Sequence, residues 1–265
     1  MGMIGPDLAE LPRGVWLVFV FALGAAIGSF LNVVIHRLPR GESLVRPGSR
    51  CVSCGSPVPA WANLPILGYL ILRGKCFSCR ATISARYPLV EALTAVLFLA
   101  LFLQRDLPLV LIYWPLAAAL IAVAFIDLEH QIIPNVITLP AIPIGLACAW
   151  LFPWTPSLLD AMLGALIVGG MMWAVAAAYE RWTGRVGLGL GDVKLMAMLG
   201  AFLGLQTTLG VLVIGCLLGL VQGLLLMALK RAGRFTRIPF GPALAVGGIL
   251  HLFDPDLFPR VLGLT

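Results

Sequence analysis

Long apolar stretches separated by short polar segments make up most of this chain. A helix needs about 20 apolar residues to cross the hydrocarbon core of a bilayer, and eight stretches are candidates for such helices. They lie at residues 14–35, 87–104, 108–126, 136–152, 159–179, 193–206, 208–229 and 240–253. The division between the sixth and seventh stretches rests only on the polar and small residues from Gln206 to Gly210. The pattern predicts an all-α polytopic membrane protein with about eight transmembrane helices.

Composition and charge support this prediction and give the expected topology. Hydrophobic residues make up 60% of the chain and charged residues only 11%, far below the roughly 25% of soluble domains. The net charge of +6 comes from basic residues that are concentrated in three segments, 36–88, 180–194 and 230–239. Eight spans place these segments on one side of the membrane, which the positive-inside rule makes the cytoplasmic side. The basic charge is therefore explained by topology, and we expect no nucleic-acid partner.

One connecting loop, residues 36–86, is much longer than the others and contains four of the six cysteines. It follows an N-terminal transmembrane helix within residues 1–35, which continues into LNVVIHRLPR without a cleavage-site pattern and is therefore expected to be permanent. The remaining spans lie within residues 87–265. We expect the loop to form a small cytoplasmic domain. A domain of about fifty residues with few large apolar side chains requires an additional stabilising element, such as a bound metal ion or disulfide bonds.

The loop cysteines form two Cys-x-x-Cys pairs separated by 21 residues, Cys51 with Cys54 and Cys76 with Cys79. Four thiolates in two such pairs are typical of a tetrahedral zinc site. Two disulfides are the alternative interpretation, but the reducing cytoplasm disfavours them. The spacing therefore predicts a structural zinc ion, which has no open coordination position for catalysis.

Two aspartates stand out because each lies where an apolar helix meets the predicted cytoplasmic side. Asp127 follows the stretch LAAALIAVAFI, and Asp192 lies in GLGLGDVKLMAMLG at the start of the sixth stretch. Both are expected at the same membrane depth, so their carboxyl groups can meet. Two carboxyl groups in a partly desolvated site share a proton, so one can activate a water while the other polarises a peptide carbonyl. For each aspartate alone, a helix cap or a solvated loop end is the alternative interpretation.

The glycines before Asp192 favour the paired interpretation. Gly187, Gly189 and Gly191 allow backbone conformations that other residues avoid, and they allow a second chain to approach closely. Both properties suit a loop that presents Asp192 to an extended peptide. A dinucleotide-binding loop is disfavoured, because no strand precedes the glycines and no βαβ unit surrounds them.

Together these motifs resemble a known family. The segment IDLEHQIIPN (126–135) and the later GLGDVK (189–194) are similar to motifs of the GxGD intramembrane-type aspartic peptidases. More closely, the chain from about Gly28 to Pro242 resembles the bacterial type IV prepilin peptidases. That resemblance also includes the two Cys-x-x-Cys pairs and the segments GSFLNVVIHRLP (28–39), NLPILGYLILRGKC (63–76), ISARYPLVE (83–91) and IPFGPALA (238–245).

The resemblance implies two activities at the cytoplasmic face of the bacterial inner membrane. Prepilin peptidases cleave the basic leader of type IV prepilins and pseudopilins after a glycine, and their catalytic pair would correspond to Asp127 and Asp192. They then methylate the new N-terminal residue, usually Phe, with S-adenosylmethionine. The aspartate mechanism involves no covalent intermediate and no catalytic Ser, Cys or metal.

The family places methyl transfer with the cytoplasmic cysteine domain, which this chain contains. The residues expected to bind the methyl donor are Gly74, Lys75, Arg86 and Glu91, with Glu42 as a further candidate. Each has a simpler alternative: Gly74 as a turn, Lys75 and Arg86 as topology anchors, and Glu91 as a buried hydrogen-bonding residue. The chain shows no nucleotide-type glycine loop, so these assignments rest on the resemblance.

Two other classes of protein are less compatible with the pattern. A transporter would carry its intramembrane carboxylates nearer the middle of the bilayer, on discontinuous helices. A non-enzymatic assembly factor that uses the zinc domain for docking leaves the paired aspartates and the glycines unexplained. We therefore expect an enzyme whose partners are the lipid bilayer and its prepilin substrates.

Overall fold

The computed structural model describes residues 12–229, 239–257 and 260 of the chain. Its helices are α1 (Arg13–Arg37), α2 (Leu67–Ile71), α3 (Arg86–Gln104), α4 (Leu107–His130), α5 (Asn135–Leu151), α6 (Leu158–Leu163), α7 (Gly169–Thr183), α8 (Leu190–Ala228) and α9 (Gly241–Phe253). The only β-structure in these described residues is two isolated bridges, so the predicted all-α class is confirmed for them. Residues 230–238 of the third basic segment and most of both chain ends lie outside the described residues.

Five helical segments of the described residues are long and apolar enough to cross a membrane. They are Arg13–Arg40, Arg86–Gln104, Leu107–His130, Leu158–Thr183 and Leu190–Ala228. Helices α5 and α9 are apolar but shorter. The predicted sixth and seventh stretches both fall within α8. A multi-pass membrane protein is thus supported, and the number of eight spans stays a prediction.

Helix α8 is interrupted at Gly204, whose φ of 78° and ψ of 178° are not helical. The sequence places the break between Gln206 and Gly210, and this placement is wrong by at least two residues. The reason is a tertiary contact: Asp160 Oδ1 accepts the backbone N–H of Leu205 at 3.2 Å. A helix start leaves backbone N–H groups without intrahelical partners, and in an apolar environment the partner must come from the protein. The Asp160 carboxylate thus fixes where the second half of α8 begins.

The chain divides into two compact units, Met1–Ala122 and Val123–Thr265. In the first unit, α1 packs against α3 through two glycines. A Cβ on Gly24 would lie 2.7 Å from Ala95 Cα, and a Cβ on Gly28 would lie 2.6 Å from Glu91 Cα. Only glycine permits such an approach, and small residues are the usual means of close helix packing where lipid removes the hydrophobic gain.

In the second unit, α6 and α7 are joined by a π-helical turn, Gly164–Val168, that packs against α8. A Cβ on Gly164 would lie 2.7 Å from the carbonyl carbon of Gly204. The stretch GALIVGG therefore places a glycine where the backbone of α8 comes closest. This contact positions the N-terminal half of α8, which carries Asp192.

Gly28→Ala should destabilise the protein by about 1–3 kcal/mol, because the added methyl group meets the α3 backbone, which cannot move without separating the two helices. Gly14→Ala is the matched control on the same helix, since a Cβ there meets nothing within 4 Å. Thermal unfolding in detergent micelles measures both variants. Equal unfolding temperatures for the two would contradict the packing of α1 on α3 described above.

Candidate active site and metal centre

Asp127 lies in the last turn of α4, where its side chain is only 6% exposed. Its Oδ2 accepts the backbone N–H of Gly241 at 2.9 Å. Gly241 begins α9, so this N–H is one of the donors that a helix start leaves unpaired. A Cβ on Gly241 would lie 2.8 Å from Asp127 Oδ2. The glycine therefore permits the approach that orients this carboxyl group.

Asp192 lies in the first turn of α8 and is 9% exposed. Its carboxyl group is hydrogen-bonded by the backbone of Gly189 and is close enough to Asp127 for the two side chains to interact electrostatically. The structure thus brings together two aspartates that are 65 residues apart in the sequence. Both are buried, and both lie at helix ends.

Two contacts hold the segments around the aspartates together. Lys194 Nζ donates to Asn135 Oδ1 at 2.9 Å, which joins the start of α8 to the start of α5. A Cβ on Gly191 would lie 2.9 Å from Ile133 Cβ, in the loop that follows Asp127. The absence of a side chain at Gly191 therefore leaves room for that loop beside Asp192.

The glycines before Asp192 leave room because they lack a side chain, and their backbone conformation is not unusual. Gly189 has φ −72° and ψ 135°, which any residue adopts. Neither Gly187 nor Gly191 is among the positive-φ glycines of the described residues. The expectation of conformations closed to other residues is therefore wrong here. The missing side chains instead leave room for Tyr179 at Gly187 and for Ile133 at Gly191, and the approach of a substrate peptide stays a prediction.

The two cysteine pairs adopt the same turn. In the first, Cys51 N–H donates to Ser56 O and Gly55 N–H to Cys51 O; in the second, Cys76 N–H donates to Ala81 O and Arg80 N–H to Cys76 O. Each turn has a left-handed residue after its second cysteine, Gly55 with φ 70° and Arg80 with φ 61°. Two matching turns therefore present all four thiols from one side of each loop.

The four Sγ atoms lie within 4.8 Å of one another, and Cys51 Sγ is 3.8 Å from Cys79 Sγ. All six cysteines are free, so the disulfide alternative is wrong. Four sulfurs held at about 2.3 Å from a tetrahedral zinc stand about 3.8 Å apart. The cluster can therefore hold a metal ion, and its donor set fits zinc.

Hydrogen bonding distributes the protons of this cluster unequally. Hydrogen bonds from the side chain and backbone of Ser56 lower the pKa of Cys54 to about 6. The backbone N–H groups of Cys79 and Ser78 lower the pKa of Cys76. The backbone of Ala81 favours the Cys79 thiolate, but the neighbouring thiol of Cys54 and burial outweigh it and raise the pKa of Cys79 to about 11. Because the thiolate is the metal ligand, the cluster offers thiolates near neutral pH and must release a proton from Cys79 on metal binding.

A cavity of about 980 Å³ lies within the first unit, between the cysteine loop and the facing parts of α1 and α3. Glu42, Arg86 and Glu91 line it, as do parts of both cysteine turns. Gly74 and Lys75 do not. Gly74 instead forms a turn with φ 68°, packed under the Tyr69 ring, and exposed Lys75 pairs through its backbone with Thr82.

Three residues of these sites were not identified from the sequence. They are Gly241, which holds Asp127; Asn135, which holds Lys194; and Asn32, which is buried beside the cavity. A signal existed for Gly241, because Phe-Gly-Pro places a proline in the first turn of a helix. No signal existed for the other two, since their partners are 59 and 55 residues away.

Comparison with known proteins agrees with the two-unit description. The model of the bacterial peptidase A24 N-terminal domain matches residues 22–105, and the model of the type IV leader peptidase family matches residues 114–224. No solved structure matches the chain.

Several curated relatives resemble the chain along nearly its whole length. A prepilin leader peptidase/N-methyltransferase of Aeromonas hydrophila is 39% identical over 96% of this chain and 97% of its own length. Enzymes with the same name are 38% identical in Pseudomonas aeruginosa, over 90% of each chain, and 39% identical in Neisseria gonorrhoeae, over 85% of this chain and 86% of that one. With both domains matched and this degree of identity, the chain belongs to the type IV leader peptidase family.

Proposed function

We propose that Asp127 and Asp192 form the catalytic dyad with which this protein, a prepilin leader peptidase and N-methyltransferase, cleaves its substrate. The observation that carries the proposal is the pairing of two buried carboxyl groups at the ends of α4 and α8. The substrates are type IV prepilins and pseudopilins, cut after the glycine that ends the basic leader. The distribution of basic loops supports a location in the inner membrane with the dyad on the cytoplasmic side.

The dyad performs hydrolysis with one shared proton. The ionised carboxylate takes a proton from a water whose oxygen attacks the scissile carbonyl carbon, while the protonated carboxyl donates to the carbonyl oxygen. The tetrahedral intermediate then collapses: one of its hydroxyl groups returns a proton to the dyad, the C–N bond breaks, and the leaving amine receives a proton from the dyad. Gly241 N–H holds Asp127 in a fixed orientation throughout, which leaves Oδ1 for the water.

The position of the dyad suits a substrate with a basic leader and an apolar helix. Such a helix lies in the bilayer, so its leader junction reaches the membrane boundary where the ends of α4 and α8 carry the aspartates. A helical backbone pairs its carbonyl groups internally. The segment around the scissile bond must therefore unwind before the carboxyl groups can reach it.

We place methyl transfer in the cavity of the first unit. Its size falls in the range of small-molecule sites, and three of the expected methyl-donor residues, Glu42, Arg86 and Glu91, line it. S-adenosylmethionine supplies the methyl group when bound. The proposed role of Gly74 and Lys75 is indirect, since they precede Cys76 and form the turn that supports the second cysteine pair. Zinc on Cys51, Cys54, Cys76 and Cys79 holds this part of the cavity wall in shape.

Asp127→Asn and Asp192→Asn should each reduce cleavage of a prepilin at least a hundredfold, because an amide can neither take up nor release the catalytic proton. Asp160→Asn is the matched control: it lies in the same unit, and its amide oxygen can still accept the Leu205 N–H. Mass spectrometry of the product N-terminus measures cleavage and methylation together. Cleavage at the wild-type rate by either dyad variant would refute the proposal.

Gly241→Ala should lower kcat for cleavage roughly tenfold to a hundredfold and leave KM nearly unchanged, because the added methyl group displaces the Asp127 carboxyl group. Gly170→Ala, in the same unit, meets nothing within 4 Å and serves as control. Steady-state kinetics with a prepilin substrate separate the two constants. An unchanged kcat would show that Gly241 does not orient the dyad.

The purified protein should contain one zinc ion per chain, and Cys79→Ser should lose it. Cys216→Ser removes a free cysteine outside the cluster and should keep the metal. Atomic absorption gives the zinc content, and limited proteolysis of residues 36–86 reports whether the loop domain stays folded. Full zinc occupancy in Cys79→Ser would exclude a four-thiolate site.

A further inference from the structure

One residue that lines the cavity carries a hydrogen-bond acceptor that has no donor among the described residues. Asn32 lines the cavity and is only 2% exposed. Its Nδ2 donates to Gly28 O at 3.3 Å and to Tyr87 O at 3.0 Å. Its Oδ1 is buried and has no hydrogen-bond partner among the described residues. A buried carbonyl oxygen without a donor costs free energy that a suitable ligand recovers.

The orientation of this amide is fixed by its surroundings. Both partners of Nδ2 are carbonyl oxygens, which accept hydrogen bonds and cannot donate them. The nitrogen must therefore face Gly28 and Tyr87, and the oxygen must point away from them. The missing partner of Asn32 is a donor.

A second acceptor that lines this cavity is Glu91, on α3. It is 8% exposed and lines the same cavity. Its Oε2 accepts the backbone N–H of Ile66 at 2.7 Å, and Ser29 hydrogen-bonds the same carboxyl group. A carboxylate with two oxygens has capacity for about four hydrogen bonds, so acceptor positions remain on it.

The segment that rests on Glu91 has a strained conformation. Ile66 has φ 63° and ψ −52°, and Leu67 N–H donates to Pro65 O at 2.6 Å. This is a γ-turn with positive φ, which is rare for any residue and especially for a β-branched one. Such strain is kept where the surrounding structure enforces it, and it clusters at ligand sites. Glu91 is the group that holds this turn against the cavity.

We propose that Asn32 Oδ1 and the Glu91 carboxylate bind a primary ammonium group in this cavity. An ammonium carries three donors and one positive charge, and it therefore satisfies the neutral acceptor and the carboxylate together. The inference rests on the proposed function, which places methyl transfer here. Two ligands of that reaction carry the group: the amino-acid end of S-adenosylmethionine and the new N-terminus of the cleaved prepilin.

The test measures how much the ammonium contributes to binding, with and without each acceptor. The full chain with bound zinc, in detergent, is titrated calorimetrically with two ligand pairs. One pair is S-adenosylhomocysteine and its analogue with hydrogen in place of the α-amino group. The other is a short peptide beginning with Phe and the same peptide acetylated at its N-terminus.

The variants are Asn32→Ala and Glu91→Gln. Glutamine keeps an oxygen for the Ile66 N–H and removes only the charge, so Glu91→Gln tests the site without removing that contact. Asn63→Ala is the matched control, because Asn63 lies on the same cavity but is exposed. Zinc content and thermal unfolding confirm that each variant is folded.

We expect both variants to weaken the ammonium-bearing ligand of one pair roughly tenfold to a hundredfold and to leave its counterpart unchanged. If the effect is seen with the S-adenosylhomocysteine pair, the site binds the methyl donor. If it is seen with the peptide pair, the site binds the methyl acceptor. Equal weakening of both members of each pair, or of neither, overturns the ammonium site alone. Failure of the wild type to bind either pair overturns the placement of methyl transfer in this cavity as well.

Discussion

Inside a bilayer every backbone N–H and C=O needs a partner within the protein, and the candidate peptidase site depends on how one such group is paired. Gly241 N–H, at the start of α9, is paired by Asp127, and Leu205 N–H, after the break in α8, is paired by Asp160. In both cases a glycine leaves the space that the carboxylate occupies. The same kind of contact, a carboxylate that accepts an N–H at a helix start, fixes the break in α8 near Leu205 and orients the carboxyl group of Asp127. The contact at Asp127 differs chemically from the contact at Asp160, because Asp192 adds a second buried carboxyl group near Asp127.

The two proposed sites use different parts of the chain. The aspartates lie in the second compact unit, whereas the cysteine cluster, the cavity and Glu91 lie in the first. No side chain is shared between the proposed sites, so each can be disabled by substitutions that leave the other's residues in place. Cys76 is the only buried hydrophobic residue of the cysteine loop, residues 36–86, so a metal on the four thiols would stabilise a loop that has no apolar core of its own.

The sequence predicted what depends on local pattern and failed where a distant partner decides. Apolar length predicted the helices, the cysteine spacing predicted the four-thiol cluster, and position at the ends of apolar stretches singled out Asp127 and Asp192 as candidates. The break at Gly204 could not be placed, because Asp160 determines it from another helix. Phe-Gly-Pro signals the helix start at Gly241, but not its contact with Asp127, which is 114 residues away. The glycines before Asp192 were expected to adopt special conformations and to admit a second chain; none of them has a positive φ, and the room that Gly187 and Gly191 leave is used by side chains of the same chain.

The same constraint explains why an aspartate dyad in a helical membrane protein belongs at the membrane boundary. Within a helix all backbone donors are used by the helix itself, so no N–H remains to orient a carboxyl group. Unpaired donors exist only at helix starts, and in this chain a helix start supplies one to Asp127 and another carries Asp192. A transporter that binds ions at mid-membrane must break its helices there to obtain such groups. In this chain Asp127 lies in the last turn of α4 and Asp192 in the first turn of α8, so the proposed dyad uses donors that helix ends already supply. The proposed substrate, a basic leader joined to an apolar helix, would present its junction to such helix ends.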